Sequence, residues 1–343
     1  MKLLMITRKV DNADALAGFT YNWVKHIGAH LEHLYVITWQ QSDSTGLDSN
    51  VEVISLSQKN KLHKILDLQK KLKKILPQVD GVFCHMNPEY TILSAFLAKL
   101  HNKKIVSWYT HRAITFRRRL LELLANKIIT ASDMSFRRPW FIDKVEVIGH
   151  GIDTDLFVEA QRSPNSEGFN IMSVGRISPT KDYESIIKAI YELGDKNVKL
   201  NIVGDVILES QKNYLKNLKQ MVETMKLEGQ VEFVSWVANK NMPSYYQKTD
   251  LFINMSGTGS VDKVVLEAMA SGCLVLTSNE AFLDILGKDF MVDANASDML
   301  TSKIKWLMNM STEEKKKITD KFRQIIIDDY ELDNLSKKII KQF

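Results

Sequence analysis

The chain has 343 residues, 45% of them apolar and 25% charged, with a formal net charge of +5. That length leaves room for two domains, each with its own core, and the composition excludes a disordered or low-complexity chain. No run approaches the roughly eighteen consecutive apolar residues of a membrane span.

The N-terminal run in MKLLMITRKV is cut off by Thr7, Arg8 and Lys9, too early for a signal peptide, so a cytoplasmic protein is expected. Read on from there, short β-branched runs alternate with helical stretches. KLLMIT, LYVITW, VEVISL, GVFCHM, KIVSWYT, KIITAS and VEVIG predict the strands of the first half. A polar break, Glu159–Gly168, carries Pro164 and Gly168 without periodicity, as an interdomain linker does. Further strands are predicted after it in NIMSVG, VKLNIVG, VEFVSW, LFINMS, LVLTSN and DFMVDA. From about Ser311 the chain reads as helix, with a break near Asp328–Glu331. Strands alternating with helices indicate parallel sheets covered on both faces. The expected architecture is therefore two doubly wound α/β domains, 1–160 and 161–325, followed by a C-terminal helix over 326–343. Cys84 and Cys273 lie in or beside apolar runs and form no C-x-x-C pair, which fits a reduced protein without a zinc or disulfide framework.

Charge is unevenly distributed. Residues 1–150 carry 22 Lys and Arg against 13 Asp and Glu, a net of +9, while the remainder carries 24 against 28, a net of −4. The excess sits in His111–Lys127 and in Lys59–Leu76, an amphipathic helix with Leu62, Leu66, Leu68, Leu72 and Ile75 broadly on one side. Such stretches are either solvated helix faces or are drawn to an anionic surface, acidic headgroups or a phosphorylated acceptor. No nucleic-acid module accompanies the charge, so nucleic acid is not an expected partner.

In open parallel sheets ligands bind at the carboxyl ends of strands, which singles out particular turns. After the first strand comes TRKVDNADALAGFTYNW, with Gly18 just before a helix. In the second half, Arg176 and Lys181 of GRISPTKD flank a short loop ahead of a helix. Cations there oppose the helix dipole and need another reason to be present. A planar Arg fork and a Lys point charge would suit a diphosphate. In SGTGSVDK, Gly257 and Gly259 allow close backbone approach, and Ser260, Val261, Asp262 and Lys263 are expected to begin a helix whose N–H groups favour an anion. Glu267 follows among Val264, Val265, Leu266, Ala268 and Met269, where an unpaired carboxylate would be costly. His111 follows one predicted strand and His85 ends another; each is either a structural histidine or one that meets a ligand.

The second half resembles the family 4 glycosyltransferases of the GT-B type. The resemblance rests on IGHGIDTDLF (148–157), SVGRISPTKDYESII (173–187), NIVGD (201–205), VEFVSWV (231–237), MPSYYQKTDLFINMS (242–256) and VVLEAMASG (264–272), in the family's order and spacing. The first half matches more loosely, through the Gly18 loop, HMNPEY and WYTH. The resemblance implies two Rossmann-like domains facing a central cleft, with C-terminal helices crossing back to the first domain. It implies transfer of a sugar from a nucleotide-sugar, UDP favoured over GDP, to a glycan or lipid-linked acceptor with retention of configuration, in cell-surface polysaccharide or glycolipid synthesis. No cofactor or metal is implied. Arg176 and Lys181 would hold the donor diphosphate, Glu267 the ribose, and Gly18 would present its backbone to the diphosphate. His111 would lie near the reacting centre and His85 on the acceptor side. Trp236 and Val237 fall where the base is contacted, or simply pack a strand end.

One departure stands out. The family's second acid, eight residues before Glu267, is here Gly259. Asp262, its neighbouring N–H groups and Lys263 are expected to take over part of the sugar contact, although Asp262 equally suits a plain helix cap. Asp153-Thr154-Asp155 spells a metal-binding D-x-D, but within GHGIDTDLF it reads as structural. His150 replaces the family's common Asn. Two other classes fit the architecture: a nucleotide-sugar epimerase, and a non-catalytic nucleotide-sugar-binding scaffold that has lost its donor acid. For the transferase, location on the cytoplasmic face of a membrane is expected.

Overall fold

The computed structural model describes residues 1–14, 17–159, 168–257 and 259–343. The predicted linker thus lies outside the described residues, apart from Glu159 and Gly168 at its ends. Contacts gather the chain into two units. One comprises Met1–Asp153, Ala238–Lys240 and Glu331–Phe343, the other Thr154–Val237 and Asn241–Tyr330.

The first unit runs β1 (Lys2–Thr7), α1 (Gly18–Ala29), β2 (His33–Thr38), β3 (Val51–Ser55), α2 (Lys61–Ile75), β4 (Gly81–His85), α3 (Pro88–Leu100), β5 (Lys104–Trp108), α4 (Phe116–Leu124), β6 (Lys127–Thr130) and β7 (Val145–Val147). Its parallel sheet is ordered β3-β2-β1-β4-β5-β6-β7, so strand order reverses between β1 and β4. Both faces are covered, which is why β1 and β4 are near-continuous apolar runs rather than alternating ones. Trp23, Val24 and Ile27 of α1 pack on one face and Leu68, Leu72 and Ala98 of α2 and α3 on the other. The N-cap Asn60 starts α2 by accepting from His63 N–H at 3.1 Å. The buried stripe of α2 is narrower than the sequence suggests: Leu68, Leu72 and Ile75 fill it, while Leu62 and Leu66 point to water. Spacing of four and three residues is enough to keep one side of the helix on the sheet.

The second unit contains β8 (Phe169–Val174), α5 (Tyr183–Leu193), β9 (Val198–Val203), α6 (Lys212–Thr224), β10 (Val231–Val234), α7 (Met242–Tyr246), β11 (Leu251–Asn254), α8 (Lys263–Ala270), β12 (Leu274–Thr277), α9 (Leu283–Leu286), α10 (Ser297–Met308) and α11 (Thr312–Asp329). Its parallel sheet is ordered β10-β9-β8-β11-β12, with the reversal between β8 and β11. The strand predicted in DFMVDA does not form. Lys288–Phe290 is a 3₁₀ turn entered from Gly287 at φ +83°, and only one parallel bridge, Met291 to Thr277, reaches the sheet. A left-handed glycine before the run and Asn295 at φ +59° after it leave too little extended chain to pair. Ser311 and Glu314 cap the start of α11 reciprocally. The last helix, α12 (Leu332–Ile340), belongs to the first unit again, where it packs on α1 and its Leu332 N–H donates to Ile152 O at 2.9 Å.

No described helix is long and apolar enough to cross a membrane. Both cysteines are buried, and burial pushes the Cys84 thiol up to about 11.

The turns after β8 and β9 are pressed together. A Cβ on Gly204, whose φ is +146°, would lie 1.9 Å from the carbonyl oxygen of Gly175. Gly204→Ala is therefore expected to lose at least about 2 kcal/mol in urea unfolding. Gly229→Ala, where a Cβ meets nothing within 4 Å, should stay within about 0.5 kcal/mol of wild type.

Candidate functional site

The strand reversal of the second unit makes the turns after β8 and β11 diverge, and divergent turns leave a crevice at the strand ends. Lys181 enters from the first turn. It ends the 3₁₀ turn Pro179–Lys181, and Asp182, at φ +44°, then caps α5 by accepting from Ser185 N–H at 3.3 Å. The Lys181 ammonium reaches across the reversal to Asp262 Oδ2 at 3.1 Å and Ser256 Oγ at 3.2 Å. Asn254, the last residue of β11, donates to the same Asp262 Oδ2 at 3.1 Å. Arg176, in the same turn as Lys181, is exposed and makes no ion pair among the described residues.

Asp262 occupies the N-cap position of α8, yet its side chain makes no capping bond to the helix. The helix itself begins at Lys263, so Ser260 and Val261 precede it rather than open it. Asn279 fixes this approach by donating to Ser260 O at 2.7 Å. Gly259 is buried with φ +61°. That left-handed backbone strains a longer side chain such as Glu, so the missing acid coincides with a backbone suited to glycine.

Glu267 is 4% exposed, on the buried side of α8. Its burial is offset by partners. The Tyr246 hydroxyl, itself fully buried, donates to Glu267 Oε2 at 3.1 Å, and Lys263 Nζ lies 3.9 Å from Oε1, one turn earlier on the helix. At the far end of α8, Arg323 of α11 donates to Ala270 O and, at 2.9 Å, to Phe157 O, anchoring the helix.

The remaining candidates fall elsewhere. Trp236 and Val237 follow β10, half-buried. In the first unit, Gly18 opens α1 and is buried, its N–H donating to Asp14 O at 2.9 Å. His85 is almost wholly buried, with Nδ1 3.0 Å from Thr7 Oγ1 and its ring tilted against Trp23 at 4.8 Å. His111 is exposed and lines a pocket of about 590 Å³ with Met86, Glu89, Tyr109, Phe116 and Arg117; its Nδ1 accepts from Ala113 N–H at 3.1 Å. The structure thus joins Lys181, Asp262, Lys263 and Glu267 on neighbouring turns of one unit, and keeps His85 and His111 apart from each other by environment. Of the D-x-D pair, Asp153 lies 3.5 Å from His26 of α1 and Asp155 is exposed. The His150 ring is tilted against Trp108, with centroids 5.8 Å apart.

Tyr246, Asn254 and Ser256 were not singled out from the sequence, although all three lie in the stretch MPSYYQKTDLFINMS. The only signal was a polar residue at each end of an otherwise apolar strand run.

Two parallel-sheet units of Rossmann type are the architecture of the GT-B fold. The family model described as glycosyl transferases group 1 matches residues 157–341, more than half of the chain, and the chain belongs to this family. Among curated relatives, mannosylfructose-phosphate synthase of Agrobacterium fabrum is 30% identical over 110 residues, 31% of this chain and 24% of that protein. Alpha-monoglucosyldiacylglycerol synthase of Streptococcus pneumoniae is 28% identical over 126 residues, 36% of this chain and 27% of that protein. The match spans about a quarter of the length of each. In fold, the chain resembles Anabaena HepE crystallised with UDP, with a TM-score of 0.80 at 17% identity, covering 100% of this chain and 99% of that one. It resembles equally a glycosyltransferase from Rickettsia africae, with a TM-score of 0.80 at 18% identity and coverage of 99% and 97%.

Burial first, and then the Glu267 carboxylate, push the Tyr246 hydroxyl well above its ordinary range. The folded state therefore resists losing that proton. The stability involved is complete below the unfolded value near 10 and is lost as pH rises beyond it, by about 1.4 kcal/mol per pH unit for one such tyrosine. Tyr246→Phe is expected to lose about 1–3 kcal/mol at neutral pH, because the buried carboxylate loses a donor. It should also flatten the alkaline fall in stability. Urea unfolding at pH 7 and pH 11 checks both.

Proposed function

We propose that this chain transfers a sugar from a nucleotide-sugar, UDP before GDP, to a glycan or lipid-linked acceptor with retention of configuration, in cell-surface polysaccharide or glycolipid synthesis. The observation that carries the reading is the Lys181–Asp262–Ser256 cluster at the strand reversal, with the free cation of Arg176 in the same turn. A diphosphate meets two positive charges and the N-terminal N–H groups of α8 there. Fold likeness to a protein whose crystals contain UDP, and also UDP-glucose, supports a uridine donor.

In this reading the second unit holds the donor. Arg176 and Lys181 stabilise the leaving diphosphate and Glu267 accepts from the ribose hydroxyls. Asp262, the backbone at Ser260 and Val261, and Lys263 contact the sugar in place of an acid at 259. Trp236 and Val237 meet the base, and Gly18 offers its N-terminal backbone to the diphosphate. The first unit, 1–160 in the sequence reading, takes the acceptor, with His111 near the reacting centre and His85 on the acceptor side. The acceptor oxygen bonds to the anomeric carbon as the bond from that carbon to the diphosphate oxygen breaks, and the hydroxyl proton passes to the departing diphosphate on the same face. The lysine-rich first unit works on an anionic membrane at its cytoplasmic face.

Thermal unfolding against UDP, GDP, ADP, CMP and their sugars tests the donor site. A nucleotide at a hundred times its dissociation constant adds about 2.7 kcal/mol, a rise of several degrees for domains of this size. The rise is expected with UDP, much reduced in Glu267→Ala and in Lys181→Ala. No rise with any nucleotide would reject the donor site, and a rise without turnover for any acceptor would favour the nucleotide-sugar-binding scaffold. Isomerised sugar from donor alone would favour the epimerase. Because the leaving group's charge is met by Arg176 and Lys181, transfer should proceed at an unchanged rate in excess EDTA, and a collapse of the rate there would reject that assignment.

A further inference from the structure

We propose that the groove between α3 and α4 of the first unit is the surface by which this chain lies on an anionic lipid bilayer. It rests on the membrane part of the functional reading and names the contact surface. Water-facing sides of helices are ordinarily polar. Here Phe96 and Leu100, one turn apart on α3, are 77% and 66% exposed. Across the groove Leu123 and Leu124 end α4, with Leu123 57% exposed. The groove encloses about 920 Å³. Lys99, Lys103, Lys104 and Lys144 line it, and among the described residues no carboxylate does.

The apolar strip continues beyond α4. Phe141 lies 4.9 Å beneath the Lys144 ammonium and Trp140 4.6 Å beneath the Arg119 guanidinium, and Ile142 beside them is 65% exposed. Lys144 itself donates to three carbonyls at the end of α4, which fixes the strip to the groove. Of the nearby acids, Glu122 is buried and paired with Arg118 and Arg119, and Asp143 is exposed next to Ile142.

An aromatic and aliphatic ridge rimmed by Lys and Arg matches the bilayer interface. Rings and methyls sink to headgroup depth while the cations stay at the level of lipid phosphates. A second copy on the same patch would bring two cationic rims together, and a nucleic acid would leave the apolar ridge in water. Helix α2 packs beside α3 on the same core, so its lysines add longer-range attraction to anionic lipid.

Sedimentation of the full chain with vesicles of phosphatidylglycerol and phosphatidylcholine, against phosphatidylcholine alone, reads the proposal directly. Binding is expected with the mixed vesicles only. The partition coefficient should fall about tenfold in Phe96→Ser/Leu123→Ser and in Lys99→Glu/Lys103→Glu. Unfolding temperatures should not change, since those side chains face water, and the UDP-induced shift should stay as in wild type, so that failure of the donor site registers separately. Equal binding to both vesicles, or to neither, overturns the membrane reading itself. Anionic binding that survives in both groove variants but is lost in Lys70→Glu/Lys73→Glu on α2 overturns the groove alone. So does a wild-type dimer in light scattering that Phe96→Ser/Leu123→Ser dissociates.

Discussion

The second unit is organised around one ammonium group. Lys181 arrives from the turn after β8, and its ammonium donates to Ser256 and Asp262 in the turn after β11. Strand order reverses between these two strands, so the turns run in opposite directions over the sheet and no backbone hydrogen bond need join them. A charge-assisted contact across the gap fixes their spacing without filling it. The rest of the local structure supports that contact. Asp182 takes a left-handed conformation directly after Lys181 and caps α5, which sets where the lysine leaves the chain. Asn254 shares the Asp262 oxygen, and Thr277 on the neighbouring strand holds Asn254 by donating to its carbonyl at 2.9 Å.

Glu267 follows the same logic one helix turn further on. Buried carboxylates persist where hydrogen bonds and opposite charge replace water. Tyr246 supplies the hydrogen bond from α7 and Lys263 the charge from the first residue of α8, so the carboxylate is held in the middle of that helix. Arg323, from α11, closes the other end of α8, which ties the position of Glu267 to a helix far away in sequence.

Much of this was legible in the sequence because it is local. The central strands of the first sheet are apolar runs bounded by polar residues, and Lys181 and Glu267 fall in the turn after β8 and on the helix after β11 as the spacing predicts, while Ser260 and Val261 precede that helix rather than begin it. What sequence could not give is partnership. Tyr246 reads as one more aromatic before a strand, and only its hydroxyl contact in three dimensions shows that it serves Glu267. The run DFMVDA has the hydrophobicity of a strand, but strand formation also needs length, and the left-handed residues on either side cut it to a single bridge. Likewise the leucines of α2 share a helical stripe, while only those in its C-terminal half, Leu68 and Leu72, are buried. The exposed apolar residues of α3 and α4 carry no periodic anomaly, and their common groove exists only in three dimensions.

Asp262 shows how geometry separates two readings that sequence leaves equal. An aspartate just before a helix is the standard residue for accepting the first free N–H groups. At this position the carboxylate instead turns toward Lys181 and Asn254, while the cap position is served by backbone conformation alone. A side chain that forgoes the nearest hydrogen bond for a more distant cation belongs to the crevice rather than to the helix. Gly259, three residues earlier, has no side chain to offer and a backbone that disfavours one. The two observations fit together: position 259 carries no acid, and the carboxylate at 262 lies at the same strand reversal, held there by Lys181.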